Sequence, residues 1–267
     1  MTYSDVISGA SRLIKGQETL LQVVARVESD LVSPDADKRN NAIKFLSDVL
    51  LLLPLSYPND LEISTLVRFF TTRLDTIGND NSSTSSCLRA IFYLSKCDQF
   101  NPNQNVVTIV NAVLKDVAVQ SLTQEVRLLV FMLIRYFICR FPEALQQCES
   151  DFIVGFIKAA EAEKDPRNLM IIFDTFIKIA STFTIDYLAE DLFELISCYF
   201  PVDFKQRPID EVHGITPEKL TEQLLACLTA NEAFAPFCYQ LIIDNFAECE
   251  DNFEPLIVLL ILKNLFP

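Results

Sequence analysis

The segment 151–204 constrains the fold most. An apolar helical pattern over 152–160 breaks at Glu163-Lys164-Asp165-Pro166, a longer one covers 167–180, and a third covers 185–200 and stops at Pro201. The middle pattern is apolar nearly all round, through Leu169, Met170, Ile171, Ile172, Phe173, Phe176, Ile177 and Ile179. A helix of that kind cannot stand on a surface; it needs neighbours on both sides.

The rest of the chain offers neighbours of the same form. Leu20, Val24, Val27 and Leu31 make one stripe at helical spacing, and Ile43, Leu46, Val49 and Leu50 the next. The following pairs are 61–77 with 85–97, 105–117 with 123–140, 148–162 with 166–180, 185–200 with 217–228, and 233–247 with 253–266. The joint at 78–83 is polar and reads as a mobile loop, and 201–216 as a long loop containing proline. Second helices start near Asp37, Ser85, Thr123, Asp165 and Pro217, an interval of roughly 40–50 residues, the period of two-helix HEAT or armadillo units. Tetratricopeptide and ankyrin repeats are shorter and carry signature residues missing here. The expected fold is an all-α solenoid of about six HEAT-like helix pairs, with 1–16 a loosely held lead-in and 17–267 the repeat domain. Only 5 glycines are present, too few for a sheet rich in tight hairpins. The last helix, 253–266, is apolar with no polar cap, so the chain reads as the N-terminal piece of a longer protein. Its outward face is expected to be an unsatisfied apolar surface.

An acid two residues before an arginine recurs where second helices begin: Asp37-Lys38-Arg39, Glu125-Val126-Arg127 and Asp165-Pro166-Arg167, with Arg89 alone in the equivalent place. The acid suits a helix N-terminus. The arginines are expected in a row along one edge, meeting carboxylates such as Asp35, Asp80, Glu125 and Asp165, either to fix the stacking or as a docking strip. Ordinary capping is the alternative.

A net charge of −14 opposes general nucleic-acid binding and docking on anionic membranes. No basic-then-apolar leader opens the chain, and no apolar run approaches the ~18 residues needed to span a bilayer. Eight cysteines, most within apolar helical runs, include no CxxC, which fits a reducing compartment. The one histidine, His213, sits in a loop, and no G-x-S-x-G, P-loop or G-x-G-x-x-G is present. The 21 phenylalanines lack the interleaved cations of a base-stacking platform. The residues therefore assign no catalytic, cofactor-binding or metal-binding position, and they do not locate a partner-binding one.

One combination is specific. Glu163-Lys164-Asp165-Pro166-Arg167-Asn168-Leu169, then Asp191-Leu192-Phe193-Glu194, then Cys198-Tyr199-Phe200-Pro201-Val202-Asp203-Phe204 resembles the N-terminal region of the HEAT-repeat adaptors of the cytosolic iron–sulfur cluster targeting complex. These adaptors are also described as nucleotide-excision-repair and transcription factors. A weaker match runs from about Glu18 to Phe246. The family's D-P-Y in the following loop is replaced by Ile209-Asp210-Glu211-Val212-His213-Gly214, while Ile215 is kept.

The resemblance implies a non-enzymatic adaptor, cytoplasmic and nuclear, with no cofactor of its own. Its partners are expected to be a WD-repeat protein and a small assembly factor, held mainly by C-terminal repeats beyond this chain. Its clients are expected to be apo iron–sulfur proteins such as DNA helicases and polymerases. Competing readings are a HEAT-repeat nuclear transport receptor, which would bind a small GTPase, a general interaction scaffold, and a HEAT-like DNA glycosylase, which would need a basic groove.

Overall fold

The computed structural model describes residues 2–77 and 81–248. They form helices throughout, with no strand among them. The chain divides into two compact units, 1–133 and 134–267, at a line that falls inside one helix.

In the first unit, α1 (Tyr3–Ile14), α2 (Leu20–Leu31), α3 (Ala36–Leu50), α4 (Asp60–Ile77), α5 (Asn81–Leu94) and α6 (Pro102–Asn111) follow in order. A π-helical turn, Ala112–Asp116, loosens the end of α6 where the sequence reads a continuous helix. α7 (Gln124–Arg140) contains the dividing line. The second unit holds the single turn α8 (Pro142–Leu145), then α9 (Glu149–Ala160), α10 (Pro166–Thr182), α11 (Ala189–Ser197), the short α12 (Pro208–Val212), α13 (Pro217–Leu228) and α14 (Ala235–Glu248).

Residues 3–14 differ from the loose lead-in read from the sequence. Thr2 and Asp5 cap each other's backbone amides in a reciprocal box, and Val6, Ala10 and Leu13 are buried, with α1 packed on α3. Glu18 joins α1 to α2 by ion-pairing with both Arg12 at 3.2 Å and Arg26 at 3.1 Å. The α2 stripe also shifts slightly, with Val23 buried in place of Val24.

The polar run 81–83, expected as loop, is the first turn of α5, and Ser83, Thr84 and Ser86 are buried. The reason is local chemistry. A serine inside a helix can satisfy its hydroxyl on the carbonyl one turn back, as Ser86 Oγ does on Ser82 O at 3.0 Å. The small side chains then let α3 approach closely enough for Ser47 Oγ to donate to Ser86 O at 2.8 Å.

Bonds between stacked elements reveal the repeat directly. In the first unit, Ser47–Ser86, Tyr93–Pro54, Ser64–Gln104, Arg89–Asp48 and Thr123–Asn81 join residues 39, 39, 40, 41 and 42 apart. In the second, Glu149–Thr184, Tyr199–Glu163, Ser150–Tyr187 and Arg135–Asp174 span 35, 36, 37 and 39. Between α10 and α13 the spacing lengthens to 51 for Ala180–Asn231 and 54 for Phe173–Cys227, because the loop 201–216 lies between them. Each unit is thus a run of stacked helix pairs, the local architecture of an α-solenoid, and the buried phenylalanines fill the joints. Phe176 stacks on Phe234 at 5.6 Å, and Phe152 meets Phe183 edge-on at 5.8 Å. The helix expected at 253–266 lies outside the described residues.

Candidate functional site

Glu161 caps the C-terminus of α9, and Ala162 follows at φ 58°, left-handed backbone that an alanine adopts only at a cost. This turn aims Glu163 inward, where it is 4% exposed. Its Oε1 accepts the backbone N–H groups of Lys164 and Asp165, both at 2.9 Å, and its Oε2 accepts from the buried Asn168 Nδ2 at 2.8 Å. Asp165 then caps α10, accepting from Arg167 N at 3.0 Å, with Pro166 in the first helical position where no amide is needed.

The second motif closes over the first. Tyr199 Oη donates to Glu163 O at 2.9 Å, and its ring lies edge-on to Phe173 at 5.8 Å. The result is a cavity of about 290 Å³ whose walls include Glu163, Lys164, Leu169, Tyr199, Pro201 and Phe204. Burial pushes the Tyr199 phenol up, so it stays a donor across the accessible pH range.

The loop 201–216 is anchored by charge. Arg207 forks onto the fully buried Asp210, Nε to Oδ2 and Nη2 to Oδ1 at 2.8 Å each, and its Nη2 also reaches Asp165 Oδ2 at 3.5 Å. Ile215, also buried, donates its backbone N–H to Asp210 O at 2.9 Å. The Arg207 bonds hold the Asp210 carboxyl below the usual range, while the guanidinium itself is pushed up by that partner. At Asp165 burial opposes ionisation, but the Arg167 fork, Nε and Nη2 each at 2.9 Å, outweighs it, and the carboxyl is again held low.

The recurring arginines do not all meet carboxylates. Arg167 does so as expected, on Asp165, and Arg89 reaches Asp48 of the preceding pair at 3.4 Å. Arg39 instead donates to the carbonyls of Ser33 at 2.7 Å and Pro34 at 2.8 Å, and one of the Arg127 bonds goes to Leu122 O at 2.8 Å. The turn before α3 presents the Ser33 and Pro34 carbonyl oxygens to the Arg39 guanidinium. Asp80, one expected partner, lies outside the described residues.

The bonds that the Glu163 carboxylate accepts from Lys164, Asp165 and Asn168 hold the turn. Cys198, on the wall and exposed at one side, donates to Leu195 O at 3.3 Å, and partial desolvation pushes its thiol up. Cys97 and Cys238 are pushed to about 11 and about 12 by the same cause. His213 lies exposed at the end of α12. Among the described residues no three His, Cys, Asp or Glu side chains are grouped to hold a metal, and no helix is long and apolar enough to cross a membrane. Sequence reasoning saw Asp165, Pro166 and Arg167 in their places but missed Glu163 and the Arg207–Asp210 clasp. The signal for Glu163 was an acid two residues before an N-cap with an asparagine five residues on.

Fold and site together define an all-α helical-repeat protein whose distinctive residues brace a turn and a loop. The chain belongs to the family of the N-terminal MMS19 domain, described as Dos2-interacting transcription regulator of RNA-Pol-II, which matches residues 24–264. It is 37% identical over 230 residues to the MMS19 nucleotide excision repair protein homolog of Xenopus laevis, covering 86% of this chain and 22% of that protein. The human homolog is 35% identical over 236 residues, covering 88% and 22%, and the Drosophila melanogaster MMS19 nucleotide excision repair protein 31% over 214 residues, covering 80% and 22%. The chain therefore spans about a fifth of the length of these relatives, which it matches over 22%.

Proposed function

We propose that the chain is the N-terminal, protein-binding part of a non-enzymatic HEAT-repeat adaptor that helps deliver iron–sulfur clusters to apo-proteins of DNA replication, repair and transcription. The observation that carries this reading is the family match over 24–264, which includes both motifs that meet at the Glu163 turn. The acidity of the chain, net −14, supports protein partners over nucleic acid. In this reading the WD-repeat and small assembly-factor subunits dock on other repeats, this segment meets clients, and the adaptor works in cytoplasm and nucleus without a cofactor of its own.

The test is capture. The tagged chain is mixed with apo forms of an iron–sulfur DNA helicase and an iron–sulfur polymerase subunit, and retention is measured with the metal content of the purified chain. Retention of clients by a chain free of stoichiometric iron is expected. Selective capture of a small GTPase in its GTP form, with no client retained, overturns the reading in favour of a transport receptor.

A further inference from the structure

A second groove, of about 340 Å³, runs between α9 and α11. Its apolar surface comes from Val154, which is 50% exposed, the half-buried Ile157 and the buried Leu195. Glu161, Asp191 and Glu194 also line it, and no lysine or arginine does. All three acids are exposed, and none of their carboxylates makes a hydrogen bond or ion pair among the described residues. Asp191 has a structural reason to be there, since an acid in the first turn of α11 suits the helix dipole. Glu161 has the opposite problem: it caps the C-terminus of α9, where the dipole disfavours an acid. Glu194 has no cation one turn away on either side, with Glu190 before it and Cys198 after.

We propose that this groove docks a basic amphipathic segment of a protein partner, its apolar side chains seated on Val154, Ile157 and Leu195 and its lysines or arginines facing Glu161, Asp191 and Glu194. The proposal deepens the adaptor reading and rests on it for the partner's being a protein. The carboxylates are not grouped to share one metal ion, so their complement is a set of separated cations, as a helix or extended peptide presents. A second copy of the chain is a poor occupant, because it brings 36 acids against 22 bases. A nucleic acid brings only further negative charge to an acidic rim. The unpaired charges repel one another in the free protein, and a basic partner relieves this, which favours fast, salt-sensitive association.

The probe is a synthetic helical peptide with leucine on one face and lysine on the other, titrated into the whole chain. Binding is expected to weaken roughly tenfold, the sum of several modest rim charges, in the triple variant Glu161→Gln, Asp191→Asn, Glu194→Gln. It is expected to weaken separately in Val154→Ser and for a peptide with serine in place of leucine. All changed side chains but one are exposed rim acids, and Val154 is half-exposed, so melting temperatures should not fall. Undiminished binding by the triple variant overturns the proposal, as does equal binding of the serine peptide, or a dimer of the wild-type chain that Val154→Ser dissolves. Client capture measured alongside separates the two readings. Capture unchanged in the groove variants sinks the groove alone, whereas capture missing from the unaltered chain sinks the adaptor reading.

Discussion

Tyr199 donates its hydroxyl to the main-chain carbonyl of Glu163 at 2.9 Å, across 36 residues of sequence. The bond ties the end of one helix pair to the turn of the pair before it. Glu163 O is a partly buried acceptor in the turn before α10, and Tyr199 supplies it with a donor. The same tyrosine packs its ring on Phe173 of α10, so position and bond are set together.

Replacing Tyr199 by phenylalanine keeps the ring contact and removes the donor. The expected loss is about 1 kcal/mol, because a partly buried carbonyl loses this donor. Thermal or urea unfolding of the variant measures it, and an unchanged midpoint would show that water replaces the hydroxyl without cost.

Glu163→Ala is expected to be worse, at about 3 kcal/mol or more. It strips partners from two backbone amides and from the buried amide of Asn168. Glu163→Gln offers one acceptor oxygen in place of two and should fall between. An equal effect of the two substitutions would mean that the volume and the single acceptor oxygen that glutamine retains contribute nothing, and that the carboxylate acts only as a whole.

Acid should loosen the loop 201–216 before it unfolds the chain. Asp210 and Asp165 are both held below the ordinary carboxylate value near 4. Groups depressed on folding contribute stability that is fully present above the unfolded value and is lost as pH falls through the folded one. The expected result is a plateau in melting temperature above about pH 4–5 and a decline below it. In Asp210→Asn that acid decline should be shallower, and amide exchange in the loop faster at neutral pH.

Ala162→Gly should raise the melting point slightly. Ala162 sits at φ 58°, and relief of left-handed strain, about 1–2 kcal/mol, exceeds the added freedom of glycine in the unfolded chain, about 0.4–1 kcal/mol. A lowered melting point would show that the methyl group contributes packing that outweighs its backbone strain.

The helices were legible because their signals are local. Apolar spacing placed the buried face of α3 at Ile43, Leu46, Val49 and Leu50, and Asp165-Pro166 marked the start of α10 to the residue. Interval counting reached the right architecture, with bonded spacings of 35–42 residues through most of each unit and 51–54 across the loop 201–216. The serine-rich start of α5 was misread because polarity stands for exposure only when no neighbour approaches, and Ser47 does approach.

What the sequence determined by itself was that most of the chain is helical, where helices such as α3 and α10 lie, and that each needs neighbours; these follow from contacts three or four residues apart and from caps. Only the tertiary structure decided that Glu163 is buried, that Arg207 clasps Asp210 and reaches Asp165, and that Arg39 turns to carbonyls where Arg167 takes a carboxylate. It alone brought Glu161 to the same groove as Asp191 and Glu194. The physical reason is range. A polar side chain takes whichever partner stacking or a folded-back turn brings within about 3 Å, and no local pattern in the chain encodes that distance.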